Sequence, residues 1–235
     1  MVVRLRRLVH GKVQGLLAQY YRISRDGKRD LVRETVDSRI DFYWKSLPFR
    51  GLRLDSMYVV WRGLLRPNYT GDYELILDVQ GGVRLAVGGR VLIDELEGNV
   101  EAKYIARGLK LVAGVYYPVQ VEFVSKNSNP HIRLSWIRCD GLEEIVPLDC
   151  LYTYTSYIVT LKNIPDGHRV ELWSIGKIGE GIGKRGTAEI KLPETPPPFE
   201  AYFRIVDLKS GKVEETPFVK DIWGGDVYEV ISESS

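Results

Sequence analysis

The segment Gly82-Val-Arg-Leu-Ala-Val-Gly-Gly-Arg-Val-Leu-Ile-Asp94 constrains the fold of this chain more than any other. Val83, Leu85 and Val87 alternate with Arg84 and Ala86, the pattern stops at Gly88-Gly89, and an apolar run resumes at Val91-Leu92-Ile93. Period-two alternation puts one set of side chains on one face of a strand, and a glycine pair tolerates positive φ in a tight turn, so the segment predicts a β-hairpin. The same grammar recurs downstream. Val119, Val121 and Phe123 oppose Gln120 and Glu122, and Ile132, Leu134 and Trp136 oppose Arg133 and Ser135. Short alternating runs bounded by Gly, Pro, Asn and Asp are what two packed sheets require, and the expected fold class is all-β.

Other motifs flank the hairpin in a fixed order. They are Gly15-Leu-Leu-Ala-Gln-Tyr-Tyr21, Ile40-Asp-Phe-Tyr-Trp44, Tyr58-Val-Val-Trp-Arg-Gly-Leu-Leu-Arg-Pro67 and Asp72-Tyr-Glu-Leu-Ile-Leu77 before it, with Leu111–Phe123 and Ile132-Arg-Leu-Ser-Trp136 after it. Together they cover about residues 13–152 and resemble the protective-antigen-type β-sandwich, a lectin-like family named after a fourteen-kilodalton piece of anthrax protective antigen. The resemblance implies a sandwich whose sugar-binding members hold calcium partly through two adjacent aspartates just before the central hairpin. Adjacent carboxylates suit a hard cation, which takes several oxygen ligands in a small space. Here Gln80-Gly81 stands at that position and Gly88 replaces the aspartate often found in the hairpin turn, while Asp78 and Asp94 remain nearby. No cofactor is therefore expected, because calcium would lack its paired ligands, and no metal site is assigned. Asn127 and Asn129, in Ser125-Lys-Asn-Ser-Asn-Pro130, are the loop amides that would meet a sugar without calcium; Asn-rich turns have the same composition.

After Tyr152 the strand pattern restarts. Val170 and Leu172, Ala188 and Ile190, and Phe199, Ala201, Phe203 and Ile205 supply inward faces for a second, smaller β-sandwich. The expected organisation is a basic N-terminal strand or arm at residues 1–12, the larger sandwich at 13–155, the smaller at 156–230, and a frayed tail at 231–235. So short a second domain has a thin core, which favours packing on a neighbour.

The chain has 235 residues and a formal net charge of +2, too balanced for nucleic acid to be an obligate partner. Abundant Arg, Lys and Glu with few amides hint at a heat-adapted source. No run approaches the ~20 apolar residues of a transmembrane helix, and no secretory signal is recognisable at the N-terminus. Cys139 and Cys150 flank a turn and short strand, and a disulfide between them is one reading.

Catalytic motifs are weak. Gly181-Ile-Gly-Lys-Arg-Gly186 spells a phosphate-cradling glycine pattern, but a strand pattern follows where a helix N-terminus is needed. His10, His131 and His168 have no metal-ligand spacing. The expectation is a non-catalytic structural and recognition protein of an extracellular assembly, foremost a surface, spike or tail component of a virus or phage-like particle, with its own copies or other structural subunits as partners. The alternatives are a calcium-independent carbohydrate-binding or adhesion module, with a cell-surface glycan as partner, and an accessory domain of a glycan-active enzyme.

Overall fold

The computed structural model describes residues 3–154, 156–194 and 197–232. Strands dominate it, and among these residues no helix is long and apolar enough to cross a membrane. The chain divides into two compact units, residues 14–153 and residues 1–13 with 154–235.

In the larger unit one sheet carries Glu101–Leu111, Gly71–Gln80 and His131–Ile137 side by side, with Asp41–Tyr43 and Glu143–Ile145 following one another along the outer edge of His131–Ile137. The facing sheet runs Arg29–Asp37, Leu16–Ile23, Met57–Leu65, Tyr117–Val124, Gly82–Val87 and Arg90–Glu95. All these pairings are antiparallel. The expected hairpin is present: Val83, Leu85 and Val87 are buried, and Gly88 and Gly89 take φ of +59° and +79° in its turn. The inner faces meet around Trp61, Trp136, Tyr73, Phe123, Leu77 and Ile132, the alternating residues of their strands. Burial of this apolar surface is the main force holding the two layers together.

The smaller unit is also two-layered. One sheet orders Val3–Val9, Val227–Ser232, Ile158–Lys162 and Thr187–Lys191, the central pair running parallel. The other carries Lys177–Ile182, His168–Trp173 and Phe199–Asp207, flanked by Val213–Glu215 and Val219–Ile222. Val159, Leu161, Val170, Leu172, Ile190, Phe203 and Ile205 fill the space between them.

Two boundaries differ from the sequence expectation. The basic N-terminal segment, expected as a strand or arm of its own, is an edge strand of the smaller unit. Val3 is buried and Leu5 partly so, while Arg4 and Arg6 point outward, and this alternation lets the strand close the smaller core. The large sandwich is thus an insertion between the first strand of the small unit and the rest of it. Ile231 and Ser232, expected in a frayed tail, pair with Arg4 and Val3. Residues 233–235 lie outside the described residues.

Candidate functional site

One end of the larger sandwich gathers polar and aromatic groups that the core does not use. Strand alternation decides which ones. In Asp41–Tyr43 the central Phe42 turns inward and stacks on Trp44 and Trp61, so Asp41 and Tyr43 must face out. The register then sets Tyr43 opposite His131, which lies opposite Gln80, and sets Asp41 opposite Arg133, which lies opposite Asp78. The Tyr43 and His131 rings stack at 4.7 Å and 11°. The His131 Nε2 atom lies 3.5 Å from Asp78 Oδ1. Arg133 donates from Nε to Asp41 Oδ1 at 2.9 Å and holds its guanidinium 5.4 Å from the Tyr43 ring centre. His131 is buried beneath this arrangement, whereas Tyr43 is 53% exposed. One phenol face is taken up by the histidine, and the ring is held rigidly at the surface.

The loop Ser125–Pro130 joins this cluster directly, because the amide of Trp44 donates to the Pro130 carbonyl at 3.1 Å. Its fold is fixed from both sides. Ser125 donates from its backbone to Met57 O and from its hydroxyl to Leu54 O. Lys126 Nζ donates to the Glu97 carbonyl at 2.9 Å, and Asn127 Nδ2 donates to Asn99 Oδ1 at 3.1 Å. Asn129 is exposed on the same loop. Gln80 and Gly81 lie between loop and cluster. A Cβ on Gly81 would come within 2.5 Å of the Val124 carbonyl, and one on Gly82 within 1.9 Å of the Leu96 carbonyl. At Gly81 the backbone occupies the space that one of the two carboxylate side chains would need.

Asp78, Asn127 and Asn129 thus belong to one end of the sandwich. Asp94 does not. It lies on the outer face of the other sheet, where Arg84 binds it through two hydrogen bonds of 2.9 and 3.1 Å. Arg84 continues a network through the buried Glu122, which accepts from Tyr58 and Gln120. Burial and the bond to Glu122 push the Tyr58 hydroxyl up to about 12. Asp94 therefore acts as a structural counter-ion, and Asp78 and Asp94 do not converge on one ligand. Among the described residues no group of three or more His, Cys, Asp or Glu side chains could hold a metal.

Cys139 and Cys150 are free thiols, not bridged. Cys139 is exposed over Gly71, while Cys150 is buried in the core after a short turn. Burial pushes the Cys150 thiol up to about 12. The glycine motif also has a structural reason. Gly181 and Gly183 sit where a Cβ would strike the carbonyls of Glu189 and Pro165, at 2.1 and 2.4 Å, and Gly186 turns a hairpin at φ +79°. A strand follows, without a helix N-terminus to bind phosphate. Tyr43, His131, Arg133 and Asp41 were not singled out as site residues from sequence. The usable signal was that Phe42 and Trp44 alternate inward, which exposes their neighbours.

A two-layer antiparallel sandwich with this strand order defines a β-sandwich domain protein. The PA14 domain family matches residues 12–149, more than half of the chain, and the chain belongs to that family. It is 28% identical over 144 residues to the anti-sigma-I factor RsgI3 of Acetivibrio thermocellus, a match covering 61% of this chain and 22% of that protein. The chain therefore spans about a fifth of the length of this relative. Among solved structures, an anti-sigma factor domain-containing protein from Clostridium clariflavum is 19% identical with a TM-score of 0.55, covering 93% of this chain and 88% of that one. The A domain of epithelial adhesin 6 from Candida glabrata, solved with Galβ1-3GlcNAc, is 15% identical with a TM-score of 0.51, covering 63% of this chain and 90% of that one. At these identities the structural likeness is one of fold.

Proposed function

We propose that this chain is a non-catalytic carbohydrate-recognition module that works outside the cell and binds its glycan without calcium. The observation that carries this reading is the Tyr43 ring, exposed and stacked on His131 between Asp41, Asp78 and Arg133. A sugar ring presents C–H groups on one face, which suit the negative face of an aromatic ring, and hydroxyls at its rim. The carboxylates and the Asn127–Asn99 amides at this end supply partners for those hydroxyls without a metal. Membership of the PA14 family and the fold shared with a disaccharide-bound adhesin support this assignment. The match to an anti-sigma factor supports a cell-surface placement rather than the particle role that the sequence first favoured.

A glycan array run with calcium and with a chelator tests the reading. The expected outcome is a defined set of bound glycans, unchanged by chelation. Tyr43→Ala should weaken the best of them about ten-fold, the equivalent of one lost aromatic contact, and Asn127→Ala should weaken it less. Binding that vanishes on chelation, or that ignores Tyr43, would overturn it.

A further inference from the structure

The smaller unit has an outer face that its core does not explain. In His168–Trp173 the inward residues are Val170 and Leu172, so Arg169, Glu171 and Trp173 face out. In Phe199–Asp207 the inward residues Ala201, Phe203 and Ile205 leave Tyr202 and Arg204 outside. The register joins them in rows. Trp173 lies opposite Tyr202, and Glu171 lies opposite Arg204, which lies opposite Glu215. On the far side of Tyr202, Val219 pairs with Ala201 and Thr216 bonds to Phe203, so Pro217 and Phe218 make up the stretch that passes Tyr202. Phe218 is 56% exposed. Trp173 and Tyr202 therefore lie side by side as an aromatic pair on neighbouring strands, about 5 Å apart at one strand spacing, with the Arg204 guanidinium 5.4 Å from the Trp173 ring centre and the exposed Phe218 in the segment that follows.

The adjoining row is charged and internally neutralised. Glu171 is buried although it stands on an outer face. It accepts from Trp173 Nε1 at 2.8 Å and pairs with Arg169 at 2.9 Å and Arg204 at 3.6 Å. Arg204 also reaches Glu215 at 3.2 Å, and Lys177 holds Glu180 at 2.8 Å. Each carboxylate has its cation, so an ionic ligand would gain little net attraction here. The bond to Glu171 fixes the indole plane, so the tryptophan is held in place before any ligand arrives.

We propose that this face is a second glycan-binding site, for a neutral, extended polysaccharide chain laid along the aromatic pair. The Trp173–Tyr202 pair, with Phe218 in the neighbouring segment, suits successive sugar rings of a straight chain, about a disaccharide in length. The paired Glu and Arg groups beside it offer acceptors and donors to hydroxyls without demanding a charge on the ligand. A protein partner fits less well, because the aromatic strip is narrow and bordered by ion pairs, whereas the core of a protein interface is wider and depleted of charge.

The test is native affinity electrophoresis of the full chain in gels containing mixed-linkage β-glucan, xylan or galactomannan, with polygalacturonate as the charged control. The expected result is retardation by at least one neutral polymer, reduced about ten-fold in affinity by Trp173→Ala with Tyr202→Ala and retained in Tyr43→Ala. The single variant Phe218→Ala guards against misfolding, since that side chain is exposed, and should give an intermediate loss. Retardation unaffected by all three changes overturns the proposal, as does retardation by polygalacturonate alone. A change in self-association on light scattering, without loss of polymer binding, also overturns it and assigns the face to a protein contact. Loss of all binding in Tyr43→Ala alone would leave the site in the larger unit standing and remove this one.

Discussion

Cys139 and Cys150 show how far local environment separates identical residues. Thiolate is the reactive form, and access and desolvation govern how much of it forms. The exposed Cys139 should react with a chromogenic disulfide in the folded protein within minutes, and Cys150 only after denaturant is added. Two fast thiols in the native protein would mean that the core around Cys150 opens. Asp37 makes a similar point with acid. It accepts from Tyr20 at 2.7 Å and Trp61 at 2.8 Å, yet burial raises its pKa above the usual carboxylate value of about 3.9. The folded state thus binds the proton more tightly than the unfolded chain. Its contribution is present below the unfolded value and is lost as pH rises through the folded one. Denaturant melts taken upward in pH from the usual carboxylate value should show a component of stability falling with rising pH. Asp37→Asn should flatten that component. An unchanged slope in the variant would show that other groups set it.

At the scale of elements, the central hairpin was legible because its cause is local. Alternation names the buried face, and Gly88-Gly89 names the turn, where both residues take positive φ. Gly82, in contrast, looked like an ordinary strand start. Its importance comes from the Leu96 carbonyl, which a Cβ would approach to 1.9 Å, and that neighbour arrives only when the chain after the hairpin folds back. Gly82→Ala should destabilise the larger unit by roughly 1–3 kcal/mol through overpacking, read as a lower midpoint in chemical denaturation. A neutral effect would mean that the Leu96 segment can move aside. The candidate site divides in the same manner. The amide loop around Asn127 and Asn129 was visible as composition, whereas the Tyr43–His131 stack depends on register between strands some ninety positions apart in sequence.

For the whole molecule, the decisive fact is that residues 3–9 complete the smaller sandwich after the larger one has intervened. The closure rests on Asp226, fully buried, which accepts from the amides of Gly11 and Trp223 and from Tyr228, with His10 at 3.0 Å and Arg7 at 3.6 Å. Asp226→Ala would strand those donors, at a cost of roughly 3 kcal/mol or more. Because each unit has its own core, the variant should melt in two steps, with the smaller unit unfolding first and Tyr43-dependent glycan binding surviving that step. One cooperative transition at a lower midpoint would show that the units share their stability. By itself the sequence determined the all-β class, the strand faces and the PA14-type sandwich, since period-two patterning and turn glycines act over a few residues. Only the tertiary structure decided that the N-terminal strand belongs to the smaller unit, that Asp78 and Asp94 part company, and that Tyr43 meets His131. Those outcomes depend on pairings between distant segments, which the burial of both cores selects and no local pattern encodes.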